Sequence, residues 1–107
     1  MKLTDDRAEK AMRYLASTDE EAANLRALAE IAEAKAKAVR DSVFMLSEGT
    51  VAERQAIAGS CEQYREAMAE YFDALRAYDA VRNKRTTEAI LIECWRSVQA
   101  NRRAGNV

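Results

Sequence analysis

The stretch YREAMAEYFDALRAYDAVRNK, residues 64–84, divides into three sevens, YREAMAE, YFDALRA and YDAVRNK, each beginning with a tyrosine. Tyr64, Tyr71 and Tyr78 recur at the spacing of one heptad, which places them on one face of a helix. Rings repeated in this way have two interpretations. They form either a recognition surface on which bases stack, or one side of a packed helix pair.

The composition predicts an all-α protein. The 107 residues contain no proline and three glycines, so the chain has few of the turn-forming residues that a sheet protein needs between its strands. Alanine alone fills 22 positions, and it is the strongest helix former. The length suits a single domain over residues 1–107.

A tight turn at 47–50 divides the chain into two long helices. Gly49 suits the left-handed conformation that ends a helix, and Thr50 with Glu53 has the spacing of a capping box. Apolar residues recur at steps of three and four on both sides of this turn, which predicts a long antiparallel helical hairpin resembling a coiled coil.

The first helix is predicted over about 4–47 and the second over about 51–101. The apolar phase continues through a Ser-Thr pair near 17–18, so one long helix is favoured there over a break. A Gly-Ser pair near 59–60 is a candidate kink in the second helix.

The hairpin register decides between the two interpretations of the tyrosines. Folding about the turn brings residue i close to residue 98 minus i, so alanines on the first helix face the large residues of the second. Ala32 and Ala36 then lie opposite Tyr64, and Ala8 and Ala11 lie opposite residues 85–90. Alanine positions leave room for rings, so the tyrosines are predicted to be packing residues of the helix pair.

Apolar residues outside this pairing predict self-association. Two antiparallel helices enclose no core, yet Leu28, Ile31, Met45 and Phe72 lie off the paired faces. A homodimer, as a four-helix bundle or an elongated dimer, would bury them. The alternative is that scattered surface apolar residues need no partner.

Several function classes are excluded or disfavoured. The chain has no histidine, which removes Ser-His and Cys-His nucleophile pairs and imidazole metal sites. We therefore expect no catalytic residues, cofactor or metal, and no enzyme activity. The first ten residues carry six charges and the longest apolar runs are four residues, so neither a leader nor a membrane span is expected, and the protein is predicted to be cytoplasmic.

Basic residues concentrate at the C-terminal end. Residues 82–107 hold six Lys or Arg against two Asp or Glu, whereas residues 1–81 hold 11 against 16. Such a cluster is typical of a contact with nucleic acid or an acidic partner, and its plain alternative is a solvated helix end whose cations complement the helix dipole. The candidate contact residues are Arg82, Lys84, Arg85, Trp95, Arg96, Arg102 and Arg103.

Two segments, FMLSEGTVAERQAIA at 44–58 and AILIECWRSVQANRRAGNV at 89–107, together resemble small coiled-coil proteins of tailed bacteriophages and prophages. Such proteins are often encoded near phage recombination genes. The resemblance implies a bacterial host cytoplasm and an accessory role in phage DNA recombination or replication, and it carries over no activity.

The function that we expect is that of a non-enzymatic adaptor for a phage or host protein, with Trp95 as an apolar anchor among arginines. Direct binding of nucleic acid by the basic end is the alternative. A further alternative is that the protein is a purely structural dimeric scaffold.

Overall fold

The structure is a computed structural model that describes residues 3–105, and it forms three helices: α1 (Asp5–Leu46), α2 (Val51–Ser60) and α3 (Glu62–Arg103). The prediction of an all-α protein is confirmed, since every regular element within this range is helical. Two compact units divide the chain. The first unit contains α1 up to Ala23 and α3 from Asp79 onward, and the second runs from Asn24 to Tyr78.

Helix α1 is continuous through the predicted weak point at 17–18. The hydroxyls of Ser17 and Thr18 both donate to the carbonyl of Tyr14, at 3.1 and 2.7 Å. A hydroxyl that bonds one turn back inside a helix does not cap a new one. Thr18 therefore lies in the middle of the helix, although its sequence context resembles a helix start.

The turn between α1 and α2 matches its sequence signals. Gly49 has φ of 114°, in the region that favours glycine, and Thr50 caps α2 by accepting the amide of Glu53 at 3.2 Å. Arg54 donates to the carbonyl of Phe44 at 3.1 Å, and its guanidinium lies 4.4 Å from the centre of the Phe44 ring. One arginine thus satisfies a carbonyl at the end of α1 and covers the neighbouring ring.

The single helix predicted over about 51–101 is interrupted. Helix α2 ends at Ser60, Cys61 is extended with ψ of 155°, and α3 begins at Glu62. Side chains satisfy the carbonyls that this interruption leaves unpaired. Ser60 donates to Ala56 at 2.6 Å, Cys61 to Ala58 at 3.3 Å, and Arg65 to the Ser60 carbonyl at 3.1 Å. Gly59, a poor helix former, lowers the cost of ending the helix there.

In the second unit, α1 and α3 run antiparallel, as the order of their contacts shows. Lys35 pairs with Glu70 at 2.9 Å, and Arg40 lies 5.8 Å from the centre of the Tyr64 ring. The tyrosines of α3 are half-buried along this contact. The hydroxyl of Tyr71 donates to Glu33 and lowers the pKa of that carboxyl, so the ring packs between the helices while its hydroxyl reaches their edge.

In the first unit the two helices are again antiparallel, around a small apolar cluster. Ala11 is fully buried against Leu91 and Ile92, and Leu3 and Leu15 pack around them. Ala11 therefore packs against residues one and two positions beyond its predicted neighbours, residues 85–90.

Buried positions in both units are occupied mainly by alanine, as the pairing of large and small residues predicts. Among the described residues, no large side chain is fully buried. The buried apolar residues are Ala8, Ala11, Ala29, Ala36, Ala58, Ala67, Leu91 and Ile92.

The predicted packing face of α3 is correct in part after Tyr78. Continuing the steps of four and three from Tyr78 predicts Arg82, Arg85, Ala89 and Ile92 at packing positions. Arg85 is half-buried and Ile92 is buried, but Arg82 and Ala89 are exposed, and Val81 and Glu88 pack in their place. The step of three, which already links Tyr64 to the buried Ala67, leaves the charge of Arg82 in water and covers Val81 instead.

Candidate interaction site

The basic end of α3 lies in the first unit, beside the acidic start of α1. Asp5 and Asp6 occupy the first turn of α1, and Arg102 and Arg103 occupy the last turn of α3. Counted over residues 1–23 and 79–107, this unit holds ten Lys or Arg and nine Asp or Glu. Antiparallel packing therefore nearly neutralises the charge asymmetry that the linear sequence shows.

Arg85 is an internal anchor of the first unit. Its guanidinium donates to the carbonyl of Leu15 and the hydroxyl of Thr18, both at 2.7 Å, and pairs with Asp19 at 3.2 Å. The Arg85 side chain is 22% exposed, so these groups occupy most of its donors. Thr18, whose sequence context suggested a helix cap, serves here as an acceptor for the opposite helix.

Glu88 is a buried charge that the sequence analysis missed. It is 8% exposed, and Arg7 donates to one of its oxygens at 2.7 Å. This hydrogen bond lowers the pKa of Glu88 despite the opposing effect of burial, and the charges of Arg7, Lys84 and Lys10 add to the lowering. The same hydrogen bond raises the pKa of Arg7. The pair ties the first turns of α1 to α3.

A sequence signal for Glu88 does exist. Val81, Arg85, Glu88, Ile92 and Trp95 follow steps of four, three, four and three, a heptad series that shares Arg85 and Ile92 with the predicted one. The predicted series took the residue four positions after Arg85 instead of three, so it selected Ala89.

Three further candidate residues have partners nearby. Arg82 pairs with Asp79 at 3.4 Å and Arg96 with Glu93 at 2.8 Å, each within one turn of α3. The ammonium of Lys84 lies 4.5 Å from the centre of the Tyr14 ring on α1. Exposed pairs of this kind contribute little to stability, so their cations remain available to an external ligand.

Trp95 is half-buried and fixed to α1. Its indole nitrogen donates to Asp5 at 2.9 Å, and the side-chain amide of Gln99 donates to the same carboxylate oxygen at 3.2 Å. Trp95, Arg96 and Arg103 line one shallow depression with these two residues, which we call the basic cleft. The basic cleft thus places the indole ring of Trp95 beside the guanidinium groups of Arg96 and Arg103.

A second depression in the first unit is apolar. Leu3, just before α1, and Thr87, Ile90, Leu91 and Cys94 from α3 line what we call the apolar cleft. Ile90 is 59% exposed and Cys94 is also exposed, whereas Leu91 belongs to the buried cluster. The apolar cleft thus extends the small core of this unit to the surface.

Arg102 and Arg103 end α3 as exposed residues. Within residues 3–105, neither side chain makes an ion pair. Both occupy the C-terminal turn, where cations complement the helix dipole. Of the seven predicted contact residues, these two have the fewest competing internal contacts, and Arg85 has the most.

The second unit exposes several large apolar side chains. They project from α1, from α2 and from α3. They are Leu28, Ile31, Met45, Leu46, Val51, Ile57 and Phe72.

No group of acidic or cysteine side chains among the described residues has an arrangement that could hold a metal ion. Over the same range, no helix combines the length and apolar character required to cross a membrane. Comparisons with protein-family models, with curated proteins and with solved structures find no match to this chain.

Proposed function

We propose that the protein is a non-enzymatic adaptor that associates with itself and binds a protein partner through the end of its first unit. The observation that carries this proposal is the pair of clefts on α3. The apolar cleft exposes Ile90, and the basic cleft presents Trp95 with Arg96 and Arg103. Aromatic and arginine side chains are those that most often dominate the energy of interfaces.

The partner segment that fits this end combines an apolar side chain with acidic groups. The apolar side chain would enter beside Ile90, and carboxylates would meet Arg102 and Arg103. The resemblance of residues 44–58 and 89–107 to phage proteins supports a partner involved in phage recombination or replication, in the cytoplasm of a bacterial host. A chain whose residues offer no nucleophile pair and no metal cluster within 3–105 suits binding better than catalysis.

Quantitative affinity capture from phage-infected cells tests the adaptor proposal. Immobilised wild-type protein is compared with Ile90→Glu and with Arg102→Glu/Arg103→Glu, after nuclease treatment of the lysate. Ala80→Glu, at an exposed position of the same helix outside the clefts, is the matched control. We expect one protein to be retained by the wild type and the control and lost from both cleft variants. Retention that is independent of the cleft residues would refute the proposal.

Nucleic-acid binding is the second candidate, and it rests on the absence of ion pairs at Arg102 and Arg103 within the described residues. Phosphate contacts make affinity fall steeply with salt, by a slope of about 0.9 for each neutralised phosphate of a duplex. If this candidate is correct, Arg102→Ala/Arg103→Ala reduces the slope by about two in titrations of labelled duplex. No binding to single-stranded or duplex DNA at low salt would eliminate it.

A further inference from the structure

The outward side of α1 in the second unit carries a second apolar series. Ala27, Ile31, Ala34 and Ala38 follow steps of four, three and four, and Met45 lies one heptad after Ala38. All five are exposed, with Ile31 at 65% and Met45 at 70%. We call this series the outer face of α1. It is distinct from the face that packs on α3, which contains Ala29, Ala32 and Ala36.

The exposed area of the whole chain indicates that a large surface is available for association. A monomeric protein of 12.0 kDa is expected to expose about 6,000 Å². This chain exposes 7726 Å², which exceeds that expectation by about 1,700 Å². A standard interface covers about 800 Å² on each partner, and obligate dimers cover more. The excess is therefore larger than the area that a standard interface covers on each partner.

We infer that the outer face of α1 binds the outer face of α1 from a second copy, antiparallel, with the two-fold axis between Ile31 and Ala34. This inference names the surface of the self-association proposed above and rests on that part of the proposal. A two-fold contact requires that residue i meet residue j while j meets i. About this axis Ile31 meets Ala34 of the second copy and Ala27 meets Ala38, so large side chains again oppose small ones.

The charges beside the outer face fit the antiparallel arrangement. Glu30 and Lys37 lie on the same edge of the face, and the two-fold axis brings Glu30 of each copy close to Lys37 of the other. A parallel arrangement would place Ile31 against Ile31 and Ala34 against Ala34 of the second copy, so large side chains would no longer oppose small ones. On the opposite edge, Leu28 meets the aliphatic stem of Lys35, which can cover it while the ammonium keeps its pair with Glu70. Asp41, which interrupts the apolar series, falls opposite the amide of Asn24.

The existing partners of these charges do not prevent the new contacts. Glu30 pairs with Arg26 at 3.1 Å and Lys37 with Glu33 at 3.3 Å, each along α1 itself. Their side chains are 45–67% exposed, and exposed pairs one turn apart on a helix contribute only a few tenths of a kcal/mol. Both residues can therefore turn toward a second copy at little cost.

Charge reversal with mixing tests the inference. Masses in solution are measured by sedimentation or light scattering for the wild type, Glu30→Lys, Lys37→Glu, and a one-to-one mixture of the two variants. We expect the wild type at twice 12.0 kDa and each single variant with a dimer Kd raised at least about tenfold, because two like-charge contacts replace two attractive ones. In the mixture both contacts become attractive, so the mixed dimer is expected to recover wild-type affinity.

Ile31→Glu and Phe72→Glu provide a second comparison within the same unit. Both introduce a carboxylate at an exposed apolar position, but only Ile31 lies on the outer face of α1. We expect Ile31→Glu to be monomeric and Phe72→Glu to remain dimeric, with circular dichroism confirming equal helix content.

A wild-type monomer, a dimer insensitive to both charge reversals, or a mixture that fails to restore the dimer would each overturn the inference. Partner capture that persists in monomeric Ile31→Glu would show that the adaptor proposal stands without it.

Discussion

Enlarging Ala11 should destabilise the first unit, because this residue is fully buried against Leu91 and Ile92. Ala11→Leu adds three carbon atoms where no space exists, while alanine and leucine have similar helix propensities. Overpacking of this kind lowers the free energy of unfolding by about 1–3 kcal/mol. For a chain of this size, the melting temperature falls by roughly 4 °C for each kcal/mol.

The reciprocal change opens space in the same cluster. Leu91→Ala removes three buried carbons, worth about 2.4 kcal/mol at about 0.8 for each methylene, and the cavity raises the loss to about 2–5 kcal/mol. If Ala11 and Leu91 are in contact, Ala11→Leu/Leu91→Ala restores the total volume. The double variant should then be more stable than the sum of the single losses predicts, by about 0.5–3 kcal/mol.

Urea denaturation followed by circular dichroism measures all three variants. Ala16→Leu is the matched control, since Ala16 is exposed on the same helix, and its free energy of unfolding should change by no more than about 0.5 kcal/mol. If Ala11→Leu behaves like this control, or if the two single losses simply add, then the packing of Ala11 against Leu91 is wrong. The helix register of the first unit would be wrong with it.

Three further predictions concern the polar contacts of the first unit. Arg85→Ala should lower the free energy of unfolding by about 1–3 kcal/mol, and Arg85→Lys should recover only part of it, because an ammonium cannot reproduce the guanidinium fork; unchanged stability in urea would contradict the anchor role. The pKa of Glu88 is lowered in the folded protein, so its contribution is present above the ordinary value of 4.5 and is lost as the pH falls through the lowered value. Thermal melts at stepwise lower pH should show a shallower acid dependence for Glu88→Gln than for the wild type, and identical profiles would count against the ion pair. Asp5→Ala should shift the emission of Trp95, the only tryptophan, to longer wavelength while Asp6→Ala leaves it unchanged, and equal spectra would refute the contact between Asp5 and the indole.

Local sequence signals were sufficient for the helices and for the turn. The glycine at 49 and the capping pair of Thr50 and Glu53 act within four residues, so their effect does not depend on what the chain later contacts. The same holds for the alanine content that favours helix. The large residues at heptad spacing, from Tyr64 to Tyr78, also indicated correctly which face of that part of α3 packs inward.

Local signals did not predict the contacts that a side chain makes with the opposite helix. The apolar phase indicated correctly that α1 continues through Thr18, but not that the Thr18 hydroxyl accepts a hydrogen bond from Arg85. The basic cluster, which suggested a surface for an acidic ligand, is partly occupied by acidic residues of α1. Neither outcome can be read from one helix, because each depends on which residues the opposite helix presents.

The sequence by itself determined the helical class, the position of the turn and the pairing of large with small residues, because propensity, capping and heptad spacing are properties of short segments. Only the tertiary structure decided that Val81 and Glu88, rather than Arg82 and Ala89, pack inward and that Glu88 is buried with Arg7. These features depend on contacts between residues up to 81 positions apart. A buried carboxylate is stable only where an opposing charge has been brought to it, and that proximity is a property of the packed helices.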